Sequence, residues 1–310
     1  MNFQDQEDIA EQLAFSLHDI LGLAKSTMLQ VERISGTTTA LTLRVRLAGD
    51  SGASYFVKTL RKNTGAGAHL RLGLREVRFY SLIGSLSPSR FPGIPRCIKY
   101  FITEGGDNYY LVLEDLSVTH QTHEEVDFAG PENWQHALAA LADFHKAFTQ
   151  KLTVDQIRAH GDGPDQVASY MEKLENAYRQ FEADQRGQVS NSVLDLLART
   201  IPLIRAFEEE KAQRLVQNRL TTILNRDAHI KNFLYPRSTA GNAVIVDWQF
   251  WGLGIGTFDL RHLLGSALGP ELRGQQEELV HYYYDRYTDG LTVDYAWQDC
   301  WDDYRKGIID

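Results

Sequence analysis

The sequence has few cysteines and no long apolar or basic runs. Only Cys97 and Cys300 occur in 310 residues, and they lack metal-ligand spacing; this is typical of the reducing cytosol, where thiols stay free. No uninterrupted apolar run approaches the length that crosses a bilayer. The first residues are acidic and lack the basic and apolar segments of a signal peptide. We therefore expect a cytoplasmic protein that does not associate with membranes.

The charge balance also restricts the class of partner. The chain has 41 acidic and 32 basic residues, a net charge of −9, and no run of Lys or Arg. A field of this sign repels nucleic acid and anionic membrane surfaces, so neither is an expected partner. A neutral or cationic small molecule fits better. The sequence does not predict an oligomeric state.

The first 115 residues show mainly the two-residue period of strands. A helical pattern in the first 21 residues is followed by a β-rich region. Apolar and polar residues alternate at 42–47, and strands are also predicted at 55–60, 97–103 and 109–114. The Glu-Gly-Gly-Asp sequence at 104–107 predicts the turn between the last two strands. Residues 63–73 contain three glycines and predict a mobile connector, followed by a helix that holds Leu74, Val77 and Tyr80.

From residue 116 onward the pattern is mainly helical. Pro131 predicts a helix start, and later periodic segments predict helices at 165–184, 191–212, 257–268, 271–288 and 293–306. One short β region, 220–248, interrupts them. This order predicts an α+β fold with a small N-terminal lobe, 1–115, in which an antiparallel sheet carries a helix. The C-terminal lobe, 116–310, is larger and mainly helical.

The β region at 220–248 contains the strongest candidates for chemistry. Asp227 and Asn232 follow one predicted strand, and Asp247 ends another at Val-Ile-Val-Asp. Carboxylate and amide oxygens are the ligands that Mg²⁺ shares with phosphates, and a further carboxylate can accept a hydroxyl proton during phosphoryl transfer. The alternative is that each acid caps a turn, which is the better explanation for any one of them taken alone.

These motifs resemble a known family. Asp-x-His-x-x-Asn at 227–232, followed by a strand that ends Val-Asp-Trp, is similar to the aminoglycoside phosphotransferase-like small-molecule kinases, which include choline, macrolide and ecdysteroid kinases. The resemblance implies a two-lobed, protein-kinase-like fold and the use of ATP and Mg²⁺. It implies that Asp227 is the catalytic base, that Asn232 and Asp247 bind the metal, and that Asp259 braces the catalytic loop. His229 stands inside the motif as a further candidate for acceptor binding or support.

The same resemblance covers the N-terminal lobe. Lys58 on a strand would hold the phosphates of ATP, and Glu76 on the following helix would hold Lys58. Each is weak alone, since a strand lysine is usually an exposed edge charge. Glu114, Asp115 and Leu116 would form the hinge that binds adenine. Ser35, Gly36 and Thr37 would form the loop that covers the phosphates.

The sequence departs from the family at the start of the catalytic loop. Asn225 and Arg226 stand where the family usually has His and Gly. Arg226 is expected to pair with Asp227 or another acid, which would lower the pKa of the base. Lys231 either reaches the transferred phosphate or faces solvent. A catalytically weak nucleotide-binding pseudokinase that acts through interactions therefore remains the alternative; a protein kinase is disfavoured by the short segment between Asp247 and Asp259.

The sequence predicts the general chemistry of the acceptor but not its identity. Trp297, Trp301 and Tyr304 share one helical stripe, and Asp302 lies beside them. Such a wall would suit a cationic hydroxyl substrate through cation–π attraction. The alternative, which base rates for amphipathic helices favour, is that these aromatic residues belong to the core. The expected activity is transfer of the γ-phosphate of ATP to a hydroxyl group of a small molecule.

Overall fold

The computed structural model describes residues 17–34, 40–48, 52–60, 66–86, 91, 93–161, 164–238 and 241–309. The chain forms two compact units. Unit 1 consists of Met1–Gln121 and Pro236–Phe250, and unit 2 of Thr122–Tyr235 and Trp251–Asp310. Unit 1 therefore includes a segment that follows most of unit 2 in the sequence.

The described elements follow each other in an α+β order. The strands are β1 (Leu29–Arg33), β2 (Ala40–Leu47), β3 (Ser54–Leu60), β4 (Cys97–Ile102), β5 (Tyr109–Glu114), β6 (His120–Gln121), β7 (Thr221–Leu224), β8 (Phe233–Pro236), β9 (Val244–Ile245) and β10 (Gly252–Ile255). The helices are α1 (Ala66–Leu86), α2 (Glu132–Phe148), α3 (Val154–His160), α4 (Pro164–Gln185), α5 (Asn191–Val216), α6 (Thr257–Ala267), α7 (Gln276–Thr288) and α8 (Trp297–Ile309). Short 3₁₀ turns occupy His123–Glu125, Ile230–Asn232 and Arg273–Gln275.

Unit 1 is built on an antiparallel sheet with the strand order β1-β2-β3-β5-β4. The alternation in β2 places Leu43 and Val45 in a core with Val57 and Val112, against which residues 17–21 also pack. The strands predicted from the sequence are confirmed within one or two residues, as is the turn between β4 and β5, where Gly106 has a φ of 65°. The first strand, β1, was not predicted.

The predicted connector at 63–73 is wrong over most of its length, because α1 begins at Ala66. Gly73 lies inside this helix, where the ring of Tyr109 occupies the space beside it. A Cβ at Gly73 would lie 1.9 Å from Cε1 of Tyr109. Gly73 thus allows α1 to pack closely on β5 and does not make the chain mobile. The local sequence could not predict this contact, because Tyr109 is distant in the sequence.

Unit 2 is mainly helical. Helix α2 packs against α7, α4 against α5, and α6 against α8. A buried cluster between α4 and α5 contains Val167, Met171, Ile204 and Ala212. The hairpin of β7 and β10 is antiparallel, with Leu224 opposite Gly252. The helices predicted here are confirmed, although α7 begins at Gln276 and not at residue 271, and α8 begins at Trp297 and not at residue 293. Helix α3 and strand β10 were not predicted.

Candidate active site

Unit 1 contains a buried cluster of one lysine and two carboxylates. Lys58 on β3 donates to both carboxylate oxygens of Glu76 on α1, each 3.0 Å from Nζ. Its Nζ also lies 2.9 Å from Oδ1 of Asp247, which follows β9. The side chains of Lys58 and Glu76 are almost fully buried, whereas 32% of the Asp247 side chain is exposed. The more accessible carboxylate is therefore that of Asp247.

The electrostatics of this cluster keep Lys58 charged. Burial by itself lowers the pKa of a lysine, but Asp247 and Glu76 outweigh it and raise the pKa of Lys58 above its ordinary value. For Glu76, burial raises the pKa and the ammonium group of Lys58 opposes the change. The backbone N–H of Trp248 also donates to Glu76, at 3.3 Å. The cluster is thus a preformed cation held by two acids.

The backbone at Asp247 is unusual. Its φ is 60°, in the left-handed region that side chains other than Asn and Asp rarely adopt. The next residue, Trp248, is buried and stacks on Phe79 of α1 with ring centroids 4.0 Å apart. This stack fixes the segment that carries Asp247. Non-glycine residues held at positive φ cluster at functional sites.

Of the other candidate nucleotide-binding residues in unit 1, the structure describes those of the predicted hinge but not those of the predicted phosphate-covering loop. Glu114 ends β5 and accepts from the backbone N–H of Arg96 at 2.8 Å. Asp115 is bound by Ser54 and Arg44. The hinge role of these residues and of Leu116 stays a prediction. The candidate phosphate-covering residues Ser35, Gly36 and Thr37 lie outside the described residues.

In unit 2, Asp227 lies in a loop after β7 that is held by its own side chains. Asn225 is fully buried, and its Oδ1 accepts from the backbone N–H of Asp227 at 3.1 Å. The Nδ2 of Asn232 donates to the carbonyl of Asp227 at 2.8 Å and to its Oδ2 at 3.1 Å. Since the amide nitrogen of Asn232 is used in this way, its Oδ1 is the atom suited to bind a cation.

Asp259 supports the same loop from the first turn of α6. Its carboxylate accepts from the backbone N–H groups of Asn225, at 2.6 Å, and Arg226, at 2.8 Å. Behind it, His145 places Nε2 3.3 Å from Oδ2 of Asp259 and Nδ1 2.8 Å from the hydroxyl of Tyr283. All of these side chains except Arg226 are fully buried. The two peptide groups before Asp227 are thus fixed from the core of unit 2.

Arg226 occupies a backbone conformation that suits glycine, with a φ of 63°. Its Nη2 donates to the carbonyl of Leu253 on β10 at 3.0 Å. The guanidinium group lies where a side chain at Gly252 would be, since a Cβ there would be 2.3 Å from Cζ of Arg226. The glycine at 252 thus makes room for the arginine at 226. Lys231, in the same loop, is exposed.

Two histidines flank the carboxylate of Asp227. Nε2 of His229 lies 3.7 Å, and Nε2 of His262 3.8 Å, from Oδ1 of Asp227. Burial lowers the pKa of His262 below its ordinary value, although Asp227 and Asp259 oppose the change. No motif in the sequence pointed to His262. Its position three residues after Asp259 on a helix was the only available signal, because residues i and i+3 share a face.

The residues predicted to bind the acceptor are partly buried. Trp297 and Trp301 stack with ring centroids 5.8 Å apart, and Trp301 stacks on Tyr304 at 5.6 Å. Tyr304 is fully buried, whereas the two tryptophans are partly exposed. The carboxylate of Asp302 accepts from Gln298 of the same helix at 3.1 Å. The stripe therefore runs from the core toward the surface, and its role in binding stays a prediction.

The described residues contain no group of three or more His, Cys, Asp or Glu side chains that could hold a metal ion. Mg²⁺ does not require such a group, because it is usually bound by one or two carboxylates together with substrate phosphates. Asn232 and Asp247 have oxygen atoms of the type it prefers. Every helix in the described ranges is too short or too polar to cross a membrane.

Comparison with known families identifies the chain. The sequence profile of the ecdysteroid kinase-like family matches residues 38–293. The chain belongs to the ecdysteroid kinase-like family. The match includes Lys58, Glu76, Asp227 and Asp247, so it covers both residue groups described above. No curated protein matches significantly.

Solved structures share the fold of this family member at low sequence identity. An ethanolamine kinase from Plasmodium vivax is 12% identical with a TM-score of 0.58, covering 90% of this chain and 72% of that one. An aminoglycoside phosphotransferase from Streptomyces rimosus, in complex with ADP and streptomycin, is 14% identical with a TM-score of 0.52 and 90% coverage of both chains. An aminopropanol kinase is 13% identical with a TM-score of 0.54, covering 97% and 87%. The ecdysteroid kinase-like chain thus has the predicted kinase-like α+β fold.

Proposed function

We propose that this protein transfers the γ-phosphate of ATP, in the presence of Mg²⁺, to a hydroxyl group of a small molecule. The observation that carries the proposal is the fixed Asp227 loop, in which Asn232 holds one carboxylate oxygen and Asp259 holds the two preceding peptide groups. A kinase of this fold needs positioned groups more than covalent chemistry. Membership of the ecdysteroid kinase-like family supports this activity.

Asp227 is the proposed base. Its Oδ2 is bound by Asn232, and its Oδ1 faces the two imidazoles. The acceptor hydroxyl would donate to this carboxylate, which orients the oxygen for attack and takes its proton as the new O–P bond forms. The bond between the γ-phosphorus and the oxygen that bridges it to the β-phosphate would break in the same step, with ADP as the leaving group. Asn232 and Asp247 are the proposed ligands of Mg²⁺. When bound, the metal neutralises developing charge on the phosphate oxygens.

Lys58 is the proposed phosphate-binding cation. Its Nζ is already oriented by Glu76 on the buried side and by Asp247 on the more exposed side. Glu76 can keep its two hydrogen bonds to Lys58 when phosphates approach, because it is the deeply buried partner. The bound ADP of the Streptomyces rimosus enzyme supports nucleotide use by this fold.

The test is a screen in two steps. Thermal unfolding is first measured with ATP in the presence and absence of Mg²⁺, and we expect stabilisation that needs both. ATP consumption is then measured over amino alcohols, aminoglycosides, sterols and sugars, with Asp227→Asn as the background. Transfer to at least one hydroxyl compound by the unaltered protein alone is the expected result. Magnesium-dependent binding of ATP with no transfer to any acceptor would contradict the proposal and favour a pseudokinase.

A further inference from the structure

The edge of the unit 1 sheet at β4 exposes three consecutive large apolar side chains. Tyr100, Phe101 and Ile102 are 42%, 43% and 41% exposed. In the strand order β1-β2-β3-β5-β4, β4 is the last strand, so among the described residues it has a strand neighbour on one side only. Edge strands usually carry charges that prevent pairing with another chain, but β4 contains a single charged residue, Lys99. An edge of this composition favours an interface.

The exposed side chains of β4 lie on both faces of the sheet. Tyr100 is on the face that α1 covers, because its hydroxyl donates to Oγ of Ser81 on α1 at 3.2 Å. Phe101 lies opposite Tyr110 of β5, which belongs to the core on the other face. Ile102 returns to the α1 face. A strand added to this edge would cover apolar groups on both faces, whereas a partner on one face would leave the other exposed.

The backbone of β4 also directs hydrogen-bonding groups to the edge. The N–H of Thr103, directly after the strand, donates to the carbonyl of Asn108 at 3.1 Å, so Thr103 faces β5. In an antiparallel pair, alternate residues direct both backbone groups toward the neighbouring strand. Phe101 therefore faces β5, whereas Tyr100 and Ile102 direct their N–H and C=O groups away from it. A strand that pairs with this edge must bind these two residues.

A second copy of the same edge meets this requirement in one register. If two copies pair antiparallel about a twofold axis at Phe101, the two Phe101 rings lie opposite each other. Tyr100 of each copy then lies opposite Ile102 of the other, so every exposed apolar side chain meets an apolar one and the outward-facing backbone groups are paired. A shift by two residues in one direction places Phe101 opposite Lys99, and in the other direction it places Tyr100 opposite Glu104. The register at Phe101 is therefore the best matched of the three.

The charged groups beside the edge complement this register. Lys99 of one copy lies opposite Thr103 of the other, on the same face of the sheet. The hydroxyl of Thr103 donates to the carboxylate of Asp107 at 2.6 Å, so an acid lies beside the position that Lys99 of the second copy reaches. Both Lys99 and Asp107 are exposed. The twofold axis forms this contact twice, and an unrelated peptide would not supply the matching lysine. The charges therefore favour a second copy as the partner.

We propose that β4 is an interface between two copies of this chain, which pair antiparallel at Phe101 and join their five-stranded sheets into one. The shared edge contains few residues, so the dimer dissociates on dilution. The proposal goes beyond the phosphate-transfer activity and does not depend on it. It is tested without nucleotide or acceptor.

The first test measures self-association of the full chain by sedimentation velocity, over a roughly hundredfold range of concentration. We expect the average mass to rise from that of a monomer toward that of a dimer. Phe101→Lys should weaken association by at least about tenfold, because it places two ammonium groups opposite each other at the axis. Phe101→Leu should keep most of the affinity. Val118→Lys is the matched control and should change nothing, because Val118 is an apolar residue of unit 1 that is 84% exposed and lies outside β4.

The second test determines the register by cross-linking. Phe101→Cys should form a disulfide between two copies under mild oxidation, because directly opposite residues have Cβ atoms about 4.5–5.5 Å apart. Lys99→Cys is the matched control and should not, because the two Lys99 positions are separated by four residues along the paired strands, about 13–14 Å. Burial raises the pKa of the native Cys97 thiol to about 11, so this thiol reacts little at neutral pH.

A chain that stays monomeric over the whole concentration range overturns the proposal and leaves an extended segment of another protein as the partner of this edge. Association that Phe101→Lys leaves unchanged places the interface elsewhere and also overturns it. Cross-linking of Lys99→Cys in place of Phe101→Cys shows that the register is wrong. If Phe101→Lys does not fold, cross-linking of Phe101→Cys still decides the question. Phosphate transfer is measured separately, so its presence or absence does not change these results.

Discussion

Oδ1 of Asp259 accepts a hydrogen bond from the backbone N–H of Arg226, 2.8 Å away, directly before the proposed catalytic base. The other oxygen of the same carboxylate accepts from the N–H of Asn225. A fully buried side chain thus accepts from two successive backbone N–H groups of the loop. The loop position of Asp227 depends on this carboxylate having two acceptor oxygens.

Asp259→Asn should therefore damage both stability and turnover. Asparagine replaces one acceptor oxygen by an NH₂ group that faces a peptide N–H, which leaves a buried donor unsatisfied at a cost of about 1–3 kcal/mol. We expect a lower denaturation midpoint in urea and, on a confirmed substrate, a lower kcat. Asp195→Asn, at an exposed position of α5, is the control and should change neither. Unchanged stability of Asp259→Asn would mean that the loop is held in another way.

Asp227→Asn should remove turnover and leave the fold intact. The new amide can still accept from Nδ2 of Asn232 through its oxygen, so the loop keeps that contact. Loss of the proton acceptor should lower kcat by about 10²- to 10⁴-fold, with ATP binding nearly unchanged. Steady-state kinetics and nucleotide titration measure the two effects. Full activity of this variant on a confirmed substrate would show that Asp227 is not the base.

Asp247→Ala should weaken the binding of magnesium-bound ATP. The change removes a proposed metal ligand and one of the two carboxylates that orient Lys58. Calorimetric titration with ATP should show a loss of affinity in Mg²⁺ that is larger than the loss in EDTA. If the affinity in Mg²⁺ stays the same, Asp247 does not bind the metal. Asp195→Ala, at an exposed position of α5, serves as a matched control for the loss of an acidic residue.

Gly73→Ala should destabilise unit 1, although alanine is the better helix former. The new Cβ would collide with the buried ring of Tyr109, and overpacking of this kind costs about 1–3 kcal/mol. Gly84→Ala on the same helix is the matched control, because a Cβ there has no neighbour within 4 Å among the described atoms. It should stabilise the protein by about 0.5–1 kcal/mol. Urea denaturation of both variants measures the difference, and equal effects would contradict the packing role of Gly73.

His262 should contribute to acid sensitivity. Burial lowers its pKa in the folded protein, against the opposing effect of Asp227 and Asp259. The unfolded chain then binds a proton more readily, so the folded state loses stability as the pH falls below about 6.5. His262→Gln should lose less stability than the unaltered protein between pH 7 and 5. His281→Gln, on the exposed face of α7, is the control; equal pH profiles for His262→Gln and the unaltered protein would refute this role.

The sequence predicted the elements whose pattern is local. Alternation predicted β2, and apolar periodicity predicted α2 and α7, because these patterns depend only on residues close together in the chain. The β7–β10 hairpin was missed at β10, whose glycines at 252 and 254 suggested no strand. A Cβ at Gly252 would meet the guanidinium group of Arg226, and one at Gly254 would meet the side chain of Leu224 on the neighbouring segment. These contacts form only after the two segments have paired, so the local sequence does not indicate them.

The candidate site residues that belong to a local motif could also be predicted from the sequence. Asp227 and Asn232 belong to a motif with fixed spacing, whereas Asp259 was indicated only by the family resemblance as a support of the loop; the structure brings all three together. His262 belongs to no motif, and its approach to Asp227 depends on how α6 packs in unit 2. The side chain of Arg226 was expected to pair with an acid, and its contact with Leu253 and Gly252 depends on a strand that the sequence did not indicate.

Because residues 236–250 belong to unit 1, unit 1 is not a continuous segment of the chain, and this limits how fragments can be designed. A fragment that stops at Gln121 contains Lys58 and Glu76 but lacks Asp247, which comes only with the later segment. Neither a stop codon nor a single protease cut can release unit 1 in complete form. Independent expression of that unit would require the later segment to be spliced to the first by a linker. A fragment made without this segment lacks the carboxylate of Asp247, so Lys58 keeps only Glu76 of the two acids described above.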